Sequence, residues 1–178
     1  NISSANVANA MSAQSWSTHE LESRSISDAD LAIDNSGRYH LLYARDSTEL
    51  VYIYSDDNGD TWSNPTIAAS VPDSSHAIGL VSVAASAHGQ VFVSWTMQSE
   101  DANWGPAGVW FSRSDDGGRS WSIADEVAPG KGYGASELFV DTENQLHLAW
   151  IGNLAVGGRY YRSSADEGVN WSTVTTVV

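Results

Sequence analysis

The sequence predicts an all-β chain made of three consecutive four-stranded antiparallel modules. Three observations lead there. An eight-residue segment occurs three times, a pair of short apolar segments around a tight turn precedes each copy, and no stretch of the 178 residues sustains a helical period.

The repeated segments are Ser55 to Trp62, Ser114 to Trp121 and Ser164 to Trp171, sharing the pattern Ser-x-Asp-x-Gly-x-(Thr/Ser/Asn)-Trp. Each Trp is followed by Ser, and Trp16-Ser17 is a fourth such pair without the preceding segment. Trp16, Trp62, Trp121 and Trp171 stand 46, 59 and 50 residues apart, a period that suits one four-stranded propeller blade.

Upstream, His40-Leu41-Leu42-Tyr43, Phe92-Val93-Ser94-Trp95 and His147-Leu148-Ala149-Trp150 align without gaps from turns at Gly37, Gly89 and Asn144. Before each turn lies an alternating segment: Leu31-x-Ile33, Val83-x-Ala85 and Leu138-x-Val140. After it comes a third run that enters the repeated segment: Leu50 to Tyr54, Val109 to Arg113 and Arg159 to Ser163. Short apolar and aromatic runs broken by Gly, Asn and Ser read as strands and turns. The expected organisation is an N-terminal segment over 1–25 with an orphan outer strand, then blades over 26–70, 71–128 and 129–178.

The chemistry of the repeated segment is that of a self-satisfied hairpin connection. An Asp carboxylate accepts backbone N–H groups a few residues on, and Ser and Thr hydroxyls do so more weakly. Gly at the fifth place permits positive φ. The Trp buries its ring while its N–H finds a partner. The expected structural set is therefore Ser55, Asp57, Gly59 and Trp62, with Ser114, Asp116, Gly118 and Trp121, and Ser164, Asp166, Gly168 and Trp171. Calcium is the rival use of these carboxylates, but each segment offers fewer oxygens than the usual six to eight.

These segments resemble the Asp boxes, also called bacterial neuraminidase repeats, of the sialidase superfamily, over roughly residues 26–178. The resemblance implies sialidase-like β-propeller blades, three of them, half of a six-bladed ring, with the boxes at the rim away from any active site. It also implies a chemistry: three Arg on a substrate carboxylate, a Tyr nucleophile paired with Glu, and an Asp acid/base. The family's Arg-Ile-Pro motif does not occur here. Tyr133 and Glu137 align only loosely with the nucleophile pair. The separation of Asp28, Asp30 and Glu137 as paired carboxylates is not readable from sequence.

Composition narrows the partners. With 22 acidic residues against 8 Lys and Arg, the net charge is −14. Such a surface repels nucleic acid and anionic membranes. No Cys is present, so disulfides and thiolate metal sites are excluded. No His cluster has metal spacing, and no metal or cofactor is expected. No apolar run approaches the ~18 residues of a membrane span. Asn1 to Gln14 lack the basic start and apolar core of a signal peptide, so a secreted or extracytoplasmic protein would have lost its signal already.

In such a fold the box turns and first turns share one face, and ligands bind the other. That second face should carry the connections Arg24 to Asp30, Ser70 to Gly79 and Ala128 to Ser136, with the loops Arg45 to Glu49, Met97 to Ala107 and Gly152 to Gly158. The middle loop holds a five- to seven-residue insertion, since turn to box Ser spans 18, 25 and 20 residues. The candidate ligand residues are Arg24, Arg45, Glu100, Asp101, Trp104 and Arg159. Arginine suits a carboxylate, and an inserted loop on a rigid scaffold is a common place for function. The leading expectation is a non-catalytic propeller module that binds carbohydrate or serves assembly. The alternative is a sialidase-like glycoside hydrolase active only as a complete or assembled propeller. Three blades do not close a ring, because propellers need about four to eight. The chain is accordingly expected to be a homodimer or a piece of a longer propeller.

Overall fold

A computed structural model describes residues 18, 20–100, 103, 105–129, 133–152 and 157–177, so Trp16 and its expected orphan strand lie outside the described residues. Among these residues the chain forms three four-stranded antiparallel sheets, each running in chain order from one edge to the other. The first holds β1 (Ile26–Ile33), β2 (Tyr39–Arg45), β3 (Glu49–Ser55) and β4 (Thr66–Ser70). The second holds β5 (His76–Ala85), β6 (Val91–Ser99), β7 (Gly105–Ser114) and β8 (Asp125–Pro129). The third holds β9 (Tyr133–Val140), β10 (Leu146–Gly152), β11 (Arg159–Ser164) and β12 (Thr175–Val177). β5 packs between β1 and β9, so the three sheets fan out as propeller blades from adjacent inner strands.

Two cores fill the spaces between blades. Leu42, Leu50 and Tyr52 of the first blade meet Val83, Val93 and Trp95 of the second. Phe92 and Phe111 of the second meet Leu138, Leu148 and Trp150 of the third. A smaller cluster of Tyr43, Val51 and Ile53, with Trp62 packed against it, lies on the other side of the first blade.

The turns after β1, β5 and β9 share one construction. Asp34 Oδ1 accepts from the Ser36 and Arg38 amides, Ser86 Oγ from those of His88 and Gln90, and Asp141 Oδ1 from those of Glu143 and Gln145. Gly37, Gly89 and Asn144 take the positive φ that these turns require.

The repeated segments also fold alike. Ser55 Oγ donates to Asp57 Oδ1 at 2.8 Å and accepts the Gly59 amide at 2.8 Å. Asp57 then accepts the Thr61 amide and hydroxyl at 2.8 and 2.6 Å. Ser114, Asp116, Gly118 and Ser120 repeat this pattern, as do Ser164, Asp166, Gly168 and Asn170. These hydrogen bonds favour the ionised carboxylate. They hold Asp57 down at about 2, the Thr61 hydroxyl contributing most, and lower Asp116 and Asp166 in the same way.

Each later segment also locks onto the preceding blade. Trp121 stands edge-on to Tyr52 at 5.3 Å, and Trp171 edge-on to Phe111 at 5.2 Å. The locking positions admit only glycine: a Cβ on Gly118 would lie 2.0 Å from Tyr52 Cε1, and one on Gly168 would lie 2.4 Å from Phe111 Cε1. Thr66 Oγ1 completes the first lock, donating to the Gly118 carbonyl at 2.7 Å and accepting the Trp121 indole N–H at 3.2 Å.

The inner strands begin earlier than the sequence suggests. Asp28, Asp30, Gly79 and Ser136 read as connection residues but lie inside β1, β5 and β9. The reason is long-range: Asp28 and Asp30 accept the Val81 and Val83 amides, both at 2.8 Å, so acids that look like loop residues tie two strands together.

Two outcomes are expected. Trp121→Ala and Trp171→Ala should each cost ~3–5 kcal/mol in urea unfolding, whereas Ile123→Ala should stay within about 0.5 kcal/mol because Ile123 is 90% exposed. Acid should also unloosen the turns. A depressed carboxylate contributes stability above its unfolded value of about 3.9, and loses it as pH falls through the folded value. Thermal midpoints followed by circular dichroism should therefore drop between about pH 4 and about pH 2, and less steeply in Asp116→Asn.

Candidate functional site

Between the first and second blades lies a cleft of roughly 380 Å³, within the range that small ligands occupy. Its floor follows from register. Trp95 pairs with Trp110 across β6 and β7, and Trp110 pairs with Glu126 across β7 and β8. The three side chains therefore sit side by side on the face turned toward the first blade. Met97 and Ala107 continue the apolar floor, and Pro72 closes it from the connection between blades.

Gly108 shapes this floor. It pairs with Met97, and a Cβ there would stand 2.3 Å from Glu126 Oε1. The absence of a side chain lets the carboxylate lie over the sheet beside the Trp110 indole. Trp95 is 1% exposed, and its indole N–H has no hydrogen-bond partner among the described residues.

The rim is polar. His76 Nδ1 lies 2.8 Å from Asp73 Oδ1 and 3.1 Å from Ser75 Oγ. The Ser75 hydroxyl and the imidazole together hold the Asp73 carboxyl down at about 2. The Glu100 amide donates to the Ser75 carbonyl at 2.9 Å, and the Asn103 amide to the Glu100 carbonyl at 2.8 Å. The inserted loop is thus fastened beside His76, at the mouth of the cleft. Asp101 and Trp104 lie outside the described residues.

The three candidate arginines do not converge. Arg24 donates to Asp46 through Nε at 2.6 Å and to Glu49 at 3.3 Å. Arg45 reaches Glu49 at 3.0 Å and Glu22 at 3.0 Å. Two guanidinium groups meet three carboxylates, which leaves no net positive field for an anionic ligand. Arg159 is exposed at the start of β11, in the third blade.

A second groove of about 500 Å³ runs along the inner strands and carries several acids, Glu137 among them. Asp30, Asp34 and Asp141 in that groove each accept backbone amides. Among the described residues no group of three or more His, Asp or Glu is placed to hold a metal ion. No helix among them is long and apolar enough to cross a membrane.

No family model matches this chain, and no curated protein does. Solved structures do. A Hadza microbial sialidase superposes with a TM-score of 0.62 at 18% identity, over 80% of this chain and 36% of that one. Trypanosoma rangeli sialidase gives 0.61 at 15%, over 84% and 30%. An ulvan lyase of a polysaccharide lyase family gives 0.60 at 13%, over 84% and 43%. This chain therefore spans well under half the length of these structures. The fold is that of sialidase propeller blades, a fold shared with carbohydrate-acting proteins of more than one chemistry.

The cleft residues Trp95, Trp110, Glu126 and Gly108 escape a reading of the sequence alone. One signal was present. Four places before the box Ser, the first and third blades carry Val51 and Tyr160, and the second carries Trp110. We expect Gly108→Ala to keep the fold, shifting the thermal midpoint by less than about 4 °C, because the clashing Glu126 chain is flexible. The indole N–H resonance of Trp110 in a proton–nitrogen correlation spectrum should move as the carboxylate swings away.

Proposed function

We propose that this chain is a non-catalytic Asp-box propeller module that binds carbohydrate in the cleft between its first and second blades. The observation that carries the reading is the floor of that cleft. An indole face beside a carboxylate accepts both halves of a sugar ring, its apolar C–H face on Trp110 and its hydroxyls toward Glu126 and His76. The ligand class is neutral or amino sugar. Glu126 and a net charge of −14 oppose a carboxylated ring. In this reading the module works outside the cytoplasm, and the paired state of Arg24 and Arg45 speaks against a sialate clamp.

Calorimetric titration with neutral and amino-sugar oligosaccharides tests this. Trp110→Ala should weaken binding at least about tenfold, which is about 1.4 kcal/mol, while Arg45→Ala leaves it unchanged. Turnover of a fluorogenic sialoside that disappears in Arg45→Ala, with the fold intact, would reverse the reading in favour of the glycoside hydrolase.

A further inference from the structure

The cleft between the first two blades holds a carboxylate with no cation beside it among the described residues. Glu126 stands directly opposite Trp110 on paired strands, so its carboxylate lies next to the indole. No hydrogen bond or ion pair reaches it from another described residue. The sequence has seven Arg and one Lys. None of the arginines lines the cleft, and Lys131 lies outside the described residues. Any positive charge that meets Glu126 from the described side of this site therefore arrives with the ligand.

The rest of the cleft is also short of donors. The Asp73 carboxylate can only accept, so the 2.8 Å contact with His76 is an Nδ1–H donating to Asp73 Oδ1. The Nε2 of the neutral ring is then an acceptor, on a residue that lines the same cleft as Glu126. Asp73 at the rim adds a second negative charge, and Glu100 in the inserted loop a third, close to Ser75. Gly108 is what lets Glu126 take its place over the sheet, since a Cβ there would stand 2.3 Å from Oε1.

We propose that this cleft selects sugars that carry a free, protonated amine, with Glu126 setting the preference and Gly108 making room for it. The inference rests on the sugar-binding reading above and narrows it to one ligand chemistry. A pyranose stacked on the Trp110 face sends its equatorial substituents outward around the edge of the indole, toward Glu126 and His76. An ammonium there has three N–H donors and no acceptor, which suits a carboxylate and a bare imidazole nitrogen. Hydrogen bonds between charged groups are about twice as strong as neutral ones, so the ammonium outcompetes a hydroxyl or an N-acetyl amide at the same ring position. The net charge of −14 draws a cationic ligand toward the chain from further out.

The test is calorimetric titration with three β-1,4-linked tetramers that differ only in the group on carbon 2: glucosamine, N-acetylglucosamine and glucose. At pH 6 an amine near the α-amino value of about 8 is protonated. The glucosamine tetramer should bind at least about tenfold tighter than either of the others. That advantage should shrink between about 0.05 and about 0.5 M salt. Glu126→Gln should cost the glucosamine tetramer far more than the glucose tetramer and so erase the preference. Gly108→Ala should narrow it, and Trp110→Ala should weaken all three. Asp125, exposed and one residue earlier on β8, has its side chain on the opposite face. Asp125→Asn removes the same charge from the chain and should keep the preference whole. Equal affinity for the three tetramers would overturn the amine preference and leave the sugar reading standing. A preference that survives Glu126→Gln would overturn it as well, because the net charge would then account for it. No binding of any tetramer would overturn the sugar reading itself and this inference with it. A lysine-rich peptide that binds tighter than the glucosamine tetramer would overturn the sugar as the source of the amine.

Discussion

An inner strand of a blade has a neighbour on one side only, so half of its backbone amides face an edge where no ladder can satisfy them. A buried amide without an acceptor costs about as much as a lost hydrogen bond, and this constraint organises the whole fan. The acceptors come from side chains of the adjoining blade: Asp28 and Asp30 for β5, Ser82 for β9. Register between blades is set by these bonds at the inner edge and by the tryptophan locks near the rim. The apolar cores between the two are held at the spacing that both impose.

The same constraint accounts for much of the acidity. Asp28, Asp30, Asp34 and Asp141 accept amides in strands and turns, and Asp57, Asp116 and Asp166 do so in the repeated segments. Carboxylates of this kind are backbone acceptors that happen to be charged. Glu22, Asp46 and Glu49 then neutralise the two arginines nearest the loop face. Ten of the 22 acids are thus held by backbone amides or arginines, and Glu126 is set apart by its place in the cleft, beside an indole.

The legible part of this molecule was its local part. The repeated segments and the turns at Gly37, Gly89 and Asn144 are built from bonds between residues within about five places of one another, so their chemistry is visible in the string of letters. The strand bounds at Asp28 and Asp30 were not, because their partners lie 53 residues away. The cleft failed for the same reason: Trp95, Trp110 and Glu126 become neighbours only through a register that bulges near Met97 and Val109. Arg24 and Arg45 were read as lying on the ligand face, but acids take up their charge: Glu49 is local to Arg45, whereas Asp46 and Glu22 reach Arg24 and Arg45 across 22 and 23 residues. Arg159 belongs to another blade.

The lock between the first two blades has a temporal side. Thr66 and the Gly118 carbonyl it grips are 52 residues apart, and Trp121 lies beyond that. A chain made from its N-terminus forms the whole first sheet before the groups that cover Tyr52 and Thr66 exist. During synthesis each finished blade therefore waits, with one aromatic ring bare, for almost the entire next blade to emerge. The stable unit is offset from the repeat: it runs from the third strand of one blade to the tryptophan of the next. A nascent chain halted inside a blade would expose the ring that the missing tryptophan was due to cover.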